Sequence, residues 1–243
     1  MSGDSPGEHP LATRPDLYPD PMTGPGGTRL GLRERKKLMT RQAILAAAQA
    51  MFDERGYDNV TVAEIADAVN VAAKTVFVYF PSKEDLVFDG EAEMRDRILA
   101  RIRDRAPGET PLRAMGALMA ELMAESGAEI VADLARWRQL MGDSAVLQSR
   151  MRLMWERFED ALAVQLAVEA GEDRHAPRPR VAAAELILIF RLGASEEILR
   201  YVRSHPKDSQ HAAVRDWVDV SLGLVGEGIG DYARRPADPT GSG

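Results

Sequence analysis

The sequence of 243 residues contains no cysteine and only four histidines. Disulfide bonds, thiolate metal sites and cysteine nucleophiles are therefore excluded. The histidines show neither HExxH nor any other metal-binding spacing, and no G-x-S-x-G, P-loop or G-x-G-x-x-G motif occurs. We therefore expect no catalytic residue, no metal ion and no cofactor, and we predict that the chain is not an enzyme.

Aromatic residues are scarce, at 6% of the chain, whereas alanine, leucine, valine and methionine are frequent. This composition favours helices over a β-sandwich. No apolar run approaches the roughly 20 residues of a membrane-spanning helix, and the start of the chain lacks the basic-then-apolar pattern of an export signal. We expect an all-α protein of the cytoplasm without membrane contact.

The net charge of −7 argues against a nucleic-acid partner, but the charge is unevenly distributed. Between Arg29 and Arg41, six basic residues stand against one acidic residue. A solvated helix start or a disordered basic arm would explain this segment equally well. A basic arm before a DNA-binding motif instead predicts phosphate contacts, here by Arg33, Lys36 and Lys37.

Such a motif follows at residues 61–80, which predict two short helices joined by a tight turn. Thr61 and Glu64 form a capping box, Asn70 suits the turn because it tolerates positive φ, and Pro81 ends the second helix. That helix, from about Ala72 to Tyr79, places small side chains outward with one lysine and one threonine. This composition is typical of a helix that enters the DNA major groove. Its outward residues are Ala72, Ala73, Lys74, Thr75 and Tyr79.

Helical periodicity continues through the rest of the chain without a strand pattern. Ser82 is a candidate N-cap for a fourth helix from Lys83 to about Arg103, which would be on the order of 30 Å long. The remaining predicted helices are Pro111–Glu125, Ala128–Met141, Ser144–Ala170, Arg180–Arg203 and Gln210–Arg234. The predicted organisation is a disordered tail (1–28), a DNA-binding domain (29–88), a larger helical domain (89–235) and a second disordered tail (236–243).

Two sets of apolar residues in the second domain are candidate binding surfaces. Methionine and aromatic side chains suit an adaptable apolar ligand pocket, although an ordinary helical core explains them as well. The continuous apolar run from Leu186 to Phe190 and the last helix suit a two-fold four-helix interface, or else an intrachain core. The ligand candidates are Met119, Met123, Trp137, Met141, Met154, Trp155, Phe158 and Phe190. The dimer candidates are Leu186, Phe190, Gly193, Trp217, Val220 and Leu224.

Residues Arg33 to Val87 resemble the DNA-binding domain of the TetR family of bacterial transcriptional regulators. The resemblance is carried by Phe52, Gly56-Tyr57, Thr61-Val62, Ile65-Ala66, Val71, Thr75, Phe77, Tyr79-Phe80 and Lys83. It implies an all-helical homodimer in which a three-helix DNA-binding domain precedes a larger domain for ligand binding and dimerisation. More weakly, Trp137 to Ala167 resembles a subgroup of the family with acyl-CoA-like ligands.

The resemblance also implies roles for single residues. Thr61 and Lys83 would meet phosphates, Ala72, Ala73, Lys74 and Thr75 would face bases or nearby phosphates, and Phe77 and Tyr79 would lie against the DNA backbone. Two residues depart from the family pattern. Ala72 stands where serine is common, which removes a hydroxyl cap, and Phe77 lacks the phenol oxygen that usually reaches phosphate, which favours a packing role.

Together these observations predict a ligand-responsive DNA-binding regulator, most simply a repressor that a small, largely apolar ligand releases from a near-palindromic operator. Its expected partners are double-stranded DNA, a small-molecule effector and a second copy of the chain. The fourth helix, anchored at Lys83, would transmit the effect of the ligand. Two alternatives are a ligand-binding enzyme on a helical scaffold and a module that binds a partner protein through the helix-turn-helix.

Overall fold

The protein is all-helical, as a computed structural model that describes residues 31–142 and 144–229 shows. Within these two ranges the chain forms ten α-helices and no β-strand, which confirms the predicted fold class. The predicted tails at 1–28 and 236–243 lie outside the described residues. The helices are α1 (Leu32–Arg55), α2 (Val62–Ala68), α3 (Ala73–Tyr79), α4 (Glu91–Arg103), α5 (Pro111–Ser126), α6 (Ile130–Met141), α7 (Ala145–Ala170), α8 (Pro177–Gly193), α9 (Glu196–Arg203) and α10 (Gln210–Ile229).

The described residues form two compact units. The first unit contains residues 31–91 together with 136–150, and the second contains residues 92–135 and 151–229. The chain therefore passes from one unit to the other at the start of α4, within α6 and within α7. The domain boundary predicted at residue 88 stays a prediction. Residues 136–150, which were predicted to lie in the second domain, belong to the first unit of the structure.

The first unit is organised around the apolar face of α1. Ile44, Leu45, Ala48 and Phe52 are buried and recur at helical spacing, so they form one face toward the neighbouring helices. The helix ends at Gly56, whose N–H donates to the carbonyl of Phe52 at 2.8 Å. Gly56 has a φ of 78°, a conformation that costs glycine little and other residues more.

The prediction of a fourth helix beginning at Lys83 is wrong. Residues Glu84–Leu86 form a short 3₁₀ turn, and α4 begins only at Glu91, so it is about 20 Å long rather than 30 Å. Leu86, Val87 and Phe88 are all buried. Three successive residues are too far apart around a helix to lie on one apolar stripe, so the chain turns to bury all of them. Gly90 lies in that turn instead of inside a helix.

The second unit is built around α10, which packs against α5, α8 and α9. One buried cluster joins Ile130 of α6, Ile198 and Val202 of α9, and Ala213 and Val214 of α10. Glycines bring α5 and α10 close together. A Cβ at Gly116 would lie 3.2 Å from a methyl carbon of Leu222, and a Cβ at Gly226 would lie 3.2 Å from a methyl carbon of Leu112.

The predicted helix Arg180–Arg203 is also wrong, since the structure divides it into α8 and α9. The helix breaks at Ala194, whose N–H donates to the carbonyls of Phe190 and Arg191, and Ser195 then precedes the new helix. At its other end α8 begins at Pro177, three residues before the predicted start at Arg180. Proline is tolerated in the first turn of a helix because its nitrogen needs no hydrogen-bond partner there.

In the part of the chain that the structure describes, no helix is long and apolar enough to cross a bilayer. Among the same residues, no group of three or more histidine and acidic side chains could hold a metal ion. The predicted last helix begins at Gln210 as expected and is described as far as Ile229. Its predicted end at Arg234 lies outside the described residues.

Candidate nucleic-acid interface

The helix-turn-helix begins with a capping box at the start of α2. The Thr61 N–H donates to Glu64 Oε2 at 2.8 Å, the Thr61 hydroxyl donates to the same oxygen at 2.7 Å, and the Glu64 N–H donates to Thr61 Oγ1 at 3.2 Å. Arg55, the last residue of α1, donates to Glu64 Oε1 at 2.7 Å. The predicted box is therefore confirmed, and Arg55 ties the end of α1 to the start of α2.

These contacts lower the pKa of the Glu64 carboxyl to about 2, chiefly through the hydrogen bond from the Thr61 hydroxyl and then through that from Arg55. Because the pKa is lower in the folded than in the unfolded chain, the ionised carboxylate stabilises the fold above pH 4.5, and this contribution is lost as the pH falls toward 2.

We therefore expect the Glu64→Gln variant to be less stable than the wild type near neutral pH. Glutamine still suits the capping box but does not ionise. The difference in unfolding free energy between the two proteins should shrink as the pH falls from about 4.5 toward 2, and urea denaturation followed by circular dichroism measures it. A difference that stays constant over this range would show that the charge of Glu64 does not stabilise the fold.

The turn between α2 and α3 depends on Asn70, which has a φ of 55°. Its N–H donates to the carbonyl of Asp67 at 3.1 Å, and the N–H of Val71 donates to that of Ala66 at 3.0 Å. The predicted turn at Asn70 is thus confirmed. Ala72 occupies the N-cap of α3 without a side-chain cap, as its lack of a hydroxyl requires.

The exposed side of α3 holds the predicted DNA-contact residues. Val76 and the following Phe80 are buried and attach the helix to the unit. Ala72, Lys74 and Phe77 are exposed, whereas Ala73, Thr75 and Tyr79 are partly buried. Phe77 is 48% exposed, so much of its ring is open to a partner even though packing was its expected role. Their contacts with DNA stay predictions.

Sequence reasoning missed Val78, which is 71% exposed on the same helix. A signal for it was present, because Val78 stands four residues after Lys74 and two after the buried Val76. Side chains four apart lie on the same side of a helix, and side chains two apart lie on different sides. The pattern that places Lys74 outward therefore places Val78 outward as well.

The basic start of α1 is exposed at Arg33, Lys36 and Lys37. Arg29 lies outside the described residues. Arg41 differs from the other three, because its guanidinium forms two hydrogen bonds with the nearly buried carboxylate of Asp89 and lies 5.0 Å from the ring centre of Phe80. Three basic residues of α1 are thus open to a partner, whereas Arg41 binds α1 to the turn that precedes α4.

Lys83, a predicted phosphate ligand, lies against its own unit. Its ammonium donates to the carbonyl of Tyr57 at 2.5 Å and lies 3.8 Å from the centre of the Tyr57 ring. Burial lowers the pKa of Lys83, although the charge of Asp58 partly opposes this shift. The Ser82 hydroxyl, one residue before this lysine, accepts from the Asp85 N–H at 3.2 Å.

Residues 136–150, the end of α6 and the start of α7, complete the first unit. Trp137 is buried and meets the ring of Phe88 edge-on, with ring centres 5.8 Å apart. The Ser144 hydroxyl donates to Asp58 Oδ1 at 3.0 Å. Arg150 pairs with Glu91, the first residue of α4, and its guanidinium lies 5.1 Å from the ring centre of Phe88. This segment therefore holds the turn that precedes α4.

The predicted ligand residues fall in both units. Trp137 and Met141 are buried in the first unit. Met123 packs against the cluster around Ile198 in the second unit. The others, Met119, Met154, Trp155, Phe158 and Phe190, are buried in the second unit, where the rings of Trp155 and Phe158 meet edge-on at 5.5 Å. The prediction of a ligand pocket stays open for this second group.

The predicted dimer residues also divide. Leu186 and Phe190 are buried inside the second unit, whereas Val220 and Leu224 are exposed on α10. Gly193 and Trp217 are partly buried. Val181 and Leu188 of α8 are exposed and stand two helical turns apart. Val181 was not predicted, and Leu188 was predicted only as part of the apolar run from Leu186 to Phe190. Leu188 lies in the middle of the apolar run, so only its exposure distinguishes it from the buried neighbours.

Comparison with known proteins supports the resemblance of this chain to the TetR family. Residues 44–89 match the family model described as "Bacterial regulatory proteins, tetR family", and this range includes α2 and α3. The HTH-type transcriptional regulator TcmR of Streptomyces glaucescens is 30% identical over 189 residues, which cover 75% of this chain and 82% of TcmR. The transcriptional repressor KstR of Rhodococcus jostii is 33% identical over 82 residues, covering 34% of this chain and 38% of KstR.

Two solved structures share the fold. Native NalD of Pseudomonas aeruginosa superposes with a TM-score of 0.51 at 22% identity, covering 76% of this chain and 97% of NalD. FadR of Thermus thermophilus, solved in complex with lauroyl-CoA, superposes with a TM-score of 0.50 at 24% identity, covering 78% of this chain and 94% of FadR. At these identities the likeness concerns the fold alone.

Proposed function

The chain belongs to the TetR family of bacterial regulatory proteins, as a DNA-binding transcriptional regulator and not an enzyme, and from this premise we propose that it is a cytoplasmic homodimeric repressor. In this proposal a small, largely apolar ligand releases it from a near-palindromic operator. The observation that carries the proposal is the exposed side of α3, with Lys74 at its centre, in the same unit as the exposed basic start of α1. Base contacts by α3 would supply specificity, and phosphate contacts by α1 would supply affinity.

A two-fold dimer would follow from the exposed apolar residues of α8 and α10. These two helices contact each other, and they expose Val181 and Leu188 on α8 and Val220 and Leu224 on α10. Apolar side chains at these spacings suit a four-helix interface between two copies. Gly193 and Trp217 would border this interface, while Leu186 and Phe190 would support it from inside. The two operator half-sites would then lie one helical turn, roughly 34 Å, or a multiple apart.

The ligand would enter the second unit. Met119, Met154 and Phe190 supply buried apolar surface there, next to the paired rings of Trp155 and Phe158. Methionine adapts its shape to varied apolar ligands, and such ligands bind in largely apolar cavities. An acyl-CoA-like ligand is the specific version of this proposal, and it rests on the resemblance of residues Trp137 to Ala167.

The route from ligand to DNA would run through residues 136–150. Helix α6 begins in the second unit and ends in the first, and helix α7 begins in the first unit and ends in the second. Arg150 of α7 pairs with Glu91 at the start of α4, so a shift of α7 would disturb α4 as well. This route replaces the predicted transmission through a fourth helix anchored at Lys83, because Lys83 is not part of α4. For a large shift of population, the ligand must prefer one state by several kcal/mol.

The proposal is tested through the salt dependence of DNA binding. In the double variant Lys36→Ala/Lys37→Ala, the slope of log affinity against log salt should become shallower by about two, since each lost phosphate contact removes about one. Fluorescence anisotropy with a labelled duplex at several salt concentrations measures it. Lys207→Ala, which removes an exposed lysine of the second unit, should leave the slope unchanged.

An unchanged slope in the double variant would remove α1 from the DNA interface. If the wild-type protein bound no duplex at any salt concentration, the helix-turn-helix would have another partner, and the protein-interaction alternative would replace the repressor.

A further inference from the structure

Val78 is an unusual residue for the outward side of α3. It is 71% exposed, and Phe77 beside it is 48% exposed, although Val76 of the same helix and the following Phe80 are buried. Valine also lowers helix propensity slightly, because its branched side chain loses rotamer freedom in a helix. Single exposed apolar residues are common, so exposure alone decides nothing. The direction in which the Val78 side chain points and the residues beside it say more about its role.

Each residue turns an α-helix by about 100°, so Lys74 and Val78 lie on one side of α3, opposite the buried Val76. The isopropyl group of Val78 and the ammonium of Lys74 therefore face outward together. No ion pair to Lys74 exists among residues 31–142 and 144–229. A surface that binds this side of α3 therefore meets both groups.

In the major groove of DNA, the one apolar group that a base presents is the C5-methyl group of thymine. An isopropyl group on the outward side of a helix in that groove gains free energy by contact with this methyl group and gains nothing from cytosine or a purine at the same place. Burial of one methyl group corresponds to roughly a fourfold change in affinity. The effect is small for one contact, but a two-fold dimer makes it twice, which gives roughly fifteenfold in total.

We propose that Val78 is a specificity-determining residue, which contacts the C5-methyl group of one thymine in each operator half-site and so selects thymine at that position. This assignment rests on the proposed function, because it requires α3 to enter the major groove. Phe77, on the flank of the same surface, would exclude water from the contact.

The test uses the full-length protein and an operator obtained by selection from genomic DNA. Each thymine of the operator is replaced in turn, symmetrically in both half-sites, by deoxyuridine, which removes only the methyl group and keeps every hydrogen-bonding group. One such operator should bind the wild-type protein roughly fifteenfold more weakly. In Val78→Ala, the same operator should bind as well as the unmodified one. Val168→Ala, at a 77% exposed valine of α7, should behave as the wild type.

Three outcomes would overturn the assignment. Every deoxyuridine operator could bind with full affinity, the loss could persist in Val78→Ala, or the loss could disappear in Phe77→Ala alone. Each of these leaves the proposed function intact, because the unmodified operator is still bound. If no DNA sequence is selected, the proposed function and this assignment fail together.

Discussion

Replacement of Lys74 by alanine is expected to weaken binding to the operator by roughly 10- to 100-fold, while binding to random DNA weakens much less. Lys74 is the one cation on the exposed side of α3 in the described structure, and it stands opposite the buried Val76. A side chain at this place reaches base edges in the groove if α3 lies there, and lysine donates to guanine O6 and N7. Loss of such a contact affects the operator and leaves non-specific phosphate binding largely intact.

The measurement is a pair of binding curves, one with the operator and one with a shuffled duplex of the same length and composition. Lys207→Ala serves as the matched control, because it removes a lysine from the second unit. If Lys74→Ala lost equal affinity for both duplexes, Lys74 would contact phosphate only. In that case the reading of bases would depend on the other residues of α3.

The second large effect concerns stability. Leu147→Ala is expected to lower the free energy of unfolding of the first unit by about 2–5 kcal/mol, although Leu147 is distant in sequence from helices α1, α2 and α3. Leu147 is fully buried in the first unit, near the start of α7. Its truncation leaves a cavity among side chains that hold the unit together. The adjacent Val146 is 51% exposed, so Val146→Ala should change stability by no more than about 0.5 kcal/mol.

Hydrogen–deuterium exchange distinguishes where the loss occurs. In Leu147→Ala, amides of α1 should lose protection, because they belong to the same cooperative unit. Loss of protection confined to residues around position 147 would mean that residues 136–150 do not stabilise helices α1 to α3 of the first unit. Such a result would also remove the proposed route from ligand to DNA.

Local signals in the sequence predicted the helix-turn-helix well. The capping box of Thr61 and Glu64 and the positive φ of Asn70 each depend on residues within a few positions of one another. Their physical causes, a hydroxyl and a carboxylate at a helix start or a tolerated left-handed conformation, are visible in the sequence itself. This is why the positions of α2 and α3 were predicted nearly correctly.

The errors arose where tertiary packing decides the structure. The residues from Leu86 to Phe88 are compatible with a helix by their local pattern. Because all three side chains are buried, however, the chain forms a turn there, and α4 begins only at Glu91. Residues 136–150 continue a helical pattern, so nothing local assigns them to the first unit. The sequence also reveals neither that Tyr57 engages Lys83 nor that Asp89 engages Arg41, since both contacts join distant positions.

The same distinction applies to the apolar residues of the second unit. Periodicity indicates that α8 and α10 have apolar surface, but the exposed fraction of each residue depends on which neighbours cover it. Leu186 was therefore predicted as a single contact of the dimer interface and is buried, while Leu188, predicted only as part of the apolar run, is exposed. Exposure on a single chain leaves Val220 and Leu224 as the better candidates for contact with a second copy.

The central claim is that α3 reads DNA as part of a two-fold dimer, and selection of bound fragments from genomic DNA by the purified full-length protein tests it most directly. The account predicts an enriched motif of two inverted half-sites whose centres lie roughly 10 base pairs, or a multiple of that, apart, and predicts that Lys74→Ala enriches it far less. Fragments recovered with no common motif at physiological salt, or a common motif without inverted half-sites, would contradict the account.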